Sequence, residues 1–182
     1  MKVFETALPG VRIIEPQVFH DARGDFLESF SARRYAEFAG ITQAFVQDNV
    51  SRSTRGVLRG LHFQRTRPQG KLIQVIAGTI YDVTVDIDPG SPTFGHHVAV
   101  ALSADDFRQI WIPPGYAHGF CVTSETAIFQ YKCTDYYDPA DEAGIAWDCP
   151  DLAIPWPTEA PILSDKDQHH PGLRAWMRSL GR

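Results

Sequence analysis

Tyr81-Asp82-Val83-Thr84-Val85-Asp86-Ile87-Asp88 decides the fold. Tyr81, Val83, Val85 and Ile87 fall on one face of this run, and Asp82, Thr84, Asp86 and Asp88 fall on the other. A period of two is the pattern of a β-strand, whose successive side chains point to opposite faces. Similar runs follow at Val98–Leu102, Gln109–Ile112, Phe120–Val122 and Ile128–Lys132, and the alternation extends from residue 43 to about 135. Turn signals separate them: Ala77-Gly78, Pro89-Gly90-Ser91-Pro92, Ser103–Asp106, Pro113-Pro114-Gly115 and Ser124-Glu125. Many short strands at this spacing predict an all-β sandwich or barrel and exclude a βαβ fold.

On the N-terminal side, residues 1–30 read as an extended arm. Leu8-Pro9-Gly10 is a turn, Val11–Ile14 a short strand and Asp21–Asp25 a second turn, after which Phe26, Glu28 and Phe30 share one strand face. Ser31 is a good N-cap for a short helix over 32–39, Gly40 is placed to end it, and Tyr35, Phe38 and Ala39 form its buried stripe. On the C-terminal side, residues 138–182 are rich in proline and predict an irregular wrap around the barrel. Within them Leu173, Trp176, Met177 and Leu180 fall at i, i+3, i+4 and i+7, an amphipathic helix for packing. No repeat or linker divides the chain, so 1–182 is read as a single domain of a size that supports a real core.

With 43% hydrophobic and 21% charged residues, the composition is that of an ordinary globular protein. A net charge of −5 argues against a general nucleic-acid binder. A local cluster of Arg and Lys still suits an anionic ligand. The N-terminus lacks the apolar core of a signal peptide, and the most apolar stretch, Leu72 to Val85, is interrupted by Gln74, Gly78 and Asp82, so no membrane span is expected. Three cysteines, Cys121, Cys133 and Cys149, with no C-x-x-C pair, read as free thiols of a cytoplasmic protein.

One strand-like stretch carries more polar groups than a strand needs: Gln47 to Ser51, Gly56 to Gln64, and Gln69-Gly70-Lys71. Placing Arg59, His62 and Lys71 beside Val, Leu and Phe costs on the order of 1–3 kcal/mol each unless they find partners. Their concentration points to a lined pocket. Gln47 and Asn49 share parity and face one side. Arg59 and His62 have opposite parity, so for both to line a site the strand must bulge, and Gly60 between them is the place for it.

Pro113-Pro114-Gly115-Tyr116-Ala117-His118 contains P-x-G-x-x-H. With the glycine-rich first half around residues 56–78, it resembles the two half-motifs of the cupins, a small jelly-roll barrel. Metal-binding cupins bring two His and a Glu from the first half and a third His from the second. Here the first half has only His62, and the remaining positions read Gln64 and Lys71. An ammonium has no lone pair to donate, and two histidines without a carboxylate make a poor metal site. The reading is a barrel in which an acid–base site replaces the metal, with no metal ligands expected. The competing reading of His62 and His118 is that of satisfied structural histidines.

The chain then resembles one branch of that superfamily closely, the dTDP-4-dehydrorhamnose 3,5-epimerases. The matching blocks include Asp21-Ala22-Arg23-Gly24, Gln47-Asp48-Asn49-Val50-Ser51, Val57 to Gln64, Gln69-Gly70-Lys71-Leu72, Ser91 to Gly95 and Trp111-Ile112-Pro113. They continue through Ala117-His118-Gly119-Phe120 and Tyr131-Lys132 to Leu163-Ser164-x-Lys166-Asp167, in order over residues 21 to 167. The resemblance implies a cupin-type jelly-roll with a few short helices, one of them C-terminal. It implies proton removal and return at the carbons flanking a C4 ketone of a dTDP-linked 4-keto-6-deoxyhexose. His62 would be the base, Asp167 its carboxylate partner, Lys71 the enolate stabiliser and Tyr131 the proton donor. No cofactor is needed, because the ketone already activates both carbons.

Arg23, Arg59 and Lys166 would meet the diphosphate. Glu28, Gln47, Asn49, His118 and Glu142 would read the base or sugar, and Phe19 and Phe26 would stack on thymine. Tyr131, Phe19 and Phe26 are also plausible core residues, and Asp167 a plausible cap. The resemblance further implies a homodimer with exchanged N-terminal strands, in which Arg23, Glu28, Gln47 and Asn49 serve the neighbour's pocket. Three rivals stand beside it. One is a single-centre epimerase, with the Tyr131/Tyr136/Tyr137 region deciding which carbon is reprotonated. The others are a metal cupin and a non-catalytic sugar-nucleotide binder.

Overall fold

The structure is a computed structural model and describes residues 1–179. In chain order its elements are β1 (Lys2–Glu5), β2 (Arg12–Glu15), β3 (Val18–Asp21), β4 (Gly24–Leu27), α1 (Ala32–Ala39), β5 (Gln47–Thr54), β6 (Leu58–Gln64) and β7 (Lys71–Ala77). They continue with β8 (Thr79–Asp86), β9 (His97–Ser103), β10 (Gln109–Ile112), β11 (Tyr116–Val122), β12 (Thr126–Cys133), β13 (Glu142–Gly144) and α2 (Leu173–Ser179). The strands form a six-stranded sheet in the order β1-β2-β10-β7-β12-β5, facing a five-stranded sheet in the order β13-β6-β11-β8-β9. Neighbours in both pair antiparallel, giving the all-β, cupin-type barrel expected from the alternation.

The alternation of β8 is resolved in an unexpected sense. Its apolar face, with Val83 and Val85 fully buried, points out of the barrel. There it packs under Ile145, Cys149, Leu152, Leu173 and Trp176 of the C-terminal segment. The polar face, Asp82 and Thr84, is equally buried but points inward. The C-terminal segment is stitched on by main-chain hydrogen bonds: Leu61 and Ile145 exchange a pair, and Leu58 donates to Ile162. Trp176 closes the cover, edge-on to Phe63 at 4.8 Å between ring centroids. Leu180 of the expected stripe lies outside the described residues.

A second core fills the barrel beside the pocket, with Ile73, Val75, Ile80, Ile110, Phe120 and Phe129 contributed by both sheets. Helix α1 has the expected bounds. Gly40 adopts the left-handed conformation that closes it (φ 63°) and donates to the Tyr35 carbonyl. Two details differ. The Ser31 side chain makes no capping hydrogen bond. Phe38 is exposed, leaving Tyr35 and Ala39 as the buried stripe. The Tyr35 hydroxyl instead ties the helix to the barrel, donating to Gln109 Oε1 at 2.6 Å. Strand β4 ends at Leu27, so Phe26, Glu28 and Phe30 share no strand face. The chain turns toward α1 there, and Phe30 packs on Tyr35 and Phe45.

Among the described residues no helix is long and apolar enough to cross a membrane. All three cysteines are buried free thiols.

Candidate active site

The six-stranded sheet presents one face inward. Tyr131 on β12 lies directly opposite Asn49 on β5 and Ile73 on β7, while Cys133 lies opposite Gln47 and Lys71. Directly opposed residues of an antiparallel pair share a face. Gln47, Asn49, Lys71 and Tyr131 therefore all point into the barrel, and all four line a cavity of about 620 Å³. Gln47 and Asn49 are tied to each other by a 3.0 Å amide hydrogen bond. Burial pushes the Tyr131 phenol up to about 12 and pushes the Lys71 ammonium down from the ordinary lysine value. Cys133, Asp82 and Glu142 act on Lys71 in the opposite sense. The lysine is thus a cation whose charge depends on pH.

The five-stranded sheet supplies the opposite wall. On β6, His62 pairs with His118 of β11, whereas Arg59 pairs with Phe120. Three steps on β6 match two on β11, so β6 carries one extra residue between them. That bulge reverses the parity and turns Arg59 and His62 toward the same cavity. Gly60 sits in it with φ 128°, and a Cβ there would lie 2.4 Å from Gly119 Cα. The bulge closes only because both strands have glycine where they cross. Arg59 Nη2 donates to Ser53 Oγ at 3.2 Å.

His62 Nε2 and Asp167 Oδ1 are 2.5 Å apart. The other carboxylate oxygen of Asp167 accepts from Ser164 Oγ at 2.7 Å. Burial raises the Asp167 carboxyl, but the imidazoles of His170 and His62 and the Ser164 hydroxyl outweigh it and hold it far below the usual carboxylate range. An anionic Asp167 on Nε2 leaves Nδ1 of His62 as the free basic nitrogen. His118 is built in parallel, with Nε2 at 2.8 Å from Asp82 Oδ2. Burial lowers its pKa against the pull of Asp82, and the nearby Lys71 and His62 add to the lowering, so the ring stays neutral.

Glu142 Oε2 accepts from the Tyr137 hydroxyl at 2.8 Å and from Lys166 Nζ. Burial raises the Glu142 carboxyl, and these two donors with His62 bring it below its ordinary value. Lys166 lines the cavity but is paired with a carboxylate.

Four expected residues are not brought to the cavity. Phe19, Arg23 and Phe26 sit on the β3–β4 hairpin, which forms a separate two-stranded sheet. Phe19 opposes Phe26 across it, and the two are 60% and 71% exposed, so neither is core. Arg23 folds back on Asp21, and Glu28 pairs with Arg34 at 3.3 Å. Short strands that pair only with each other cannot reach into their own barrel. Gln47 and Asn49, expected to serve a neighbour's pocket, line the cavity of their own chain, because β5 pairs beside β12.

Asp82 and His170 were not singled out from sequence, and Tyr137 and Gln64 take contacts that the sequence did not assign to them. Asp82 lay hidden in the polar face of a regular strand. Tyr137, in the loop after β12, donates its hydroxyl to Glu142 and its backbone N–H to Gln47 Oε1. Gln64, at a ligand position of the metal cupins, instead spans loop backbone at Arg67, Tyr136 and Asp138. His170 contacts Asp167 from the C-terminal segment at 3.5 Å. His170 and Asp167 are only three residues apart, so that contact is local, whereas the partners of Gln64 at Tyr136 and Asp138 lie more than seventy residues away and were not legible.

An imidazole backed by a carboxylate, a phenol and an ammonium, gathered between two sheets of a cupin-type barrel, define an isomerase of that fold. The chain belongs to the dTDP-4-dehydrorhamnose 3,5-epimerase family, whose sequence model matches residues 5–175. It is 52% identical over 169 residues to the dTDP-4-dehydrorhamnose 3,5-epimerase of Pseudomonas aeruginosa, covering 92% of this chain and 93% of that one. Its structure is similar to that of a dTDP-6-deoxy-D-glucose-3,5-epimerase from Legionella pneumophila in complex with dTDP-4-keto-L-rhamnose. The TM-score is 0.92 and the identity 53%, over 95% of this chain and 93% of that one. A 3'-monoepimerase from Streptomyces bikiniensis in complex with dTDP-quinovose shares the fold at a TM-score of 0.90 but only 33% identity, over 97% of this chain and 89% of that one.

Proposed function

We propose that this protein epimerises C3 and C5 of dTDP-4-keto-6-deoxy-D-glucose to give dTDP-4-keto-L-rhamnose, in the cytoplasm and without a cofactor. The observation that carries the reading is that His62 and Tyr131 enter one cavity from opposite sheets. Inversion needs a base on one side of the sugar ring and an acid on the other. His62 Nδ1 takes the proton from the carbon next to the ketone, Asp167 stabilises the resulting imidazolium, and the C–H electrons move onto the C4 oxygen. Lys71, pointing into the same cavity, balances the enolate charge. The Tyr131 hydroxyl, kept protonated by burial, returns a proton to the opposite face, and solvent restores both groups. Arg59 meets the diphosphate, and the amides of Gln47 and Asn49, with His118 and Glu142, hold base and sugar. Identities of 52% and 53% to two 3,5-epimerases, against 33% to the 3'-monoepimerase, support action at both carbons.

The exposed β3–β4 hairpin supports a homodimer in which each chain inserts Phe19, Phe26 and Arg23 into its neighbour's pocket, the aromatics against thymine and the guanidinium against phosphate. Glu28, at the base of that arm, follows the hairpin.

The test is to incubate the protein with dTDP-4-keto-6-deoxyglucose in D₂O and to read deuterium at C3 and C5 by NMR. Incorporation at both carbons is expected, and His62→Ala should abolish both. Exchange at one carbon would make this a single-centre enzyme. Exchange at neither, or near-normal exchange in His62→Ala, would overturn the proposal.

A further inference from the structure

Behind His62, away from the sugar-binding cavity, three ligand atoms converge: His62 Nε2, Asp167 Oδ1 and His170 Nε2, all within 4.8 Å of one another. His170 Nε2 is buried and has no hydrogen-bond partner among the described residues. Its 3.5 Å approach to Asp167 Oδ1 is too poor in geometry to count as one. The ring is held there by shape. It lies over Gly144, where a Cβ would come within 2.4 Å of that same nitrogen. A buried imidazole nitrogen with no partner is costly, and this one points at a carboxylate already bound to a second imidazole.

We infer that His62, Asp167 and His170 form a binding site for a divalent transition metal, and that its occupancy switches the enzyme off. Two imidazoles and one carboxylate are a donor set suited to Zn²⁺ or Co²⁺. Bonds of about 2.0–2.2 Å place tetrahedral ligand atoms roughly 3.3–3.6 Å apart. The 3.5 Å between Asp167 Oδ1 and His170 Nε2 already meets that spacing. The His62–Asp167 contact opens by about 1 Å, and the metal takes the place of the shared proton. Ser164 holds the second carboxylate oxygen and fixes its orientation.

The chemical consequence follows from the imidazole. In the active form Nε2 carries the proton toward Asp167 and Nδ1 holds the lone pair. When a metal bonds to Nε2, that proton leaves Nε2 and a proton is taken up on Nδ1, with no net change in proton count. The nitrogen that faces the sugar is then occupied and cannot act as a base. The site itself stands on geometry alone. The inhibition rests on His62 being the base, as proposed above.

Co²⁺ is the probe, because four-coordinate Co²⁺ with nitrogen and oxygen ligands absorbs in the visible. Titration of the ligand-free protein should give a band that saturates at one metal per chain. Deuterium exchange at both carbons should fall at least tenfold in step with the band and return on adding EDTA. His170→Gln fills the same space with a poor ligand. It should bind at least tenfold more weakly, and its own residual exchange should resist cobalt. His169→Ala, next to the site but outside it, should behave as wild type. No saturable band, equal binding by His170→Gln, or equal loss in His169→Ala would overturn the site. A saturable band with undiminished exchange would leave the site standing and overturn both the inhibition and His62 as the base.

Discussion

At the scale of single residues, Lys71 and Tyr131 differ in what burial does to them. Both point into the same cavity from one sheet face. Desolvation disfavours the charged form of each, so it lowers the lysine and raises the tyrosine. The ammonium is present below its pKa and lost as pH rises through it. The alkaline fall in activity should therefore begin below the ordinary lysine value of 10.5 and belong to Lys71, not to Tyr131 at about 12. Lys71→Arg, whose guanidinium stays protonated, should lower the rate by roughly 10²-fold through misplacement of the charge, yet move that limb upward in a pH–rate profile. An unmoved limb would show that another group sets it. Tyr131→Phe should reduce net epimerisation far more than initial deuterium uptake, because abstraction by His62 still occurs; equal loss of both in parallel NMR time courses would make Tyr131 a positioning residue. Lys71 stood out in the sequence as a candidate by the density of polar groups beside apolar positions, whereas Tyr131 was a candidate only through the family resemblance. How burial tunes them was not legible, since Cys133, Asp82 and Glu142 around Lys71 come from three other strands.

At the scale of elements, the decisive feature is the bulge in β6. Arg59 and His62 have opposite parity, and a regular strand would send one of them out of the barrel. The conflict was visible in the residues, and so was Gly60 as its solution. The second half of the solution was not: Gly119, on a strand nearly sixty residues later, must also lack a side chain for the crossing to close. Gly60→Ala would impose a strained positive φ and an overlap with Gly119. Strain of about 1–3 kcal/mol and overpacking of about 1–3 kcal/mol predict a loss of roughly 2–6 kcal/mol, or a melting temperature lowered by about 5–20 °C in calorimetry. Activity per folded molecule should also fall, as the parity of Arg59 and His62 is disturbed. An unchanged melting temperature would mean that the two strands separate at little cost.

At the scale of the whole molecule, the β3–β4 hairpin raises the question of what completes the pocket. It carries two exposed aromatics and an arginine and pairs with no other strand among the described residues. If each arm serves the neighbour, chains bearing Arg23→Ala and chains bearing His62→Ala should rescue each other when co-expressed. In a mixed dimer, the pocket that keeps His62 receives the arm that keeps Arg23. Activity of the purified mixed dimer well above that of either parent is the expected result. Activity equal to the sum of the two parents would place Arg23 outside any pocket.

Local chemistry determined much of this protein. The period-two alternation required an all-β fold, Gly40 ended α1, and the polar residues packed into 47–71 marked the site, because each of these depends on near neighbours in the chain. Only the tertiary structure decided which face of β8 lines the barrel. Alternation shows that a strand has two faces but not which is covered by what. Here the C-terminal segment covers the apolar face, and the acidic face turns into the barrel, where Asp82 stands behind His118. The pairings of His62 with Asp167 and of His118 with Asp82 are of the same kind. They join residues 105 and 36 positions apart, and such contacts exist only after β8 and β11 have paired in one sheet and the C-terminal segment has folded back against β6.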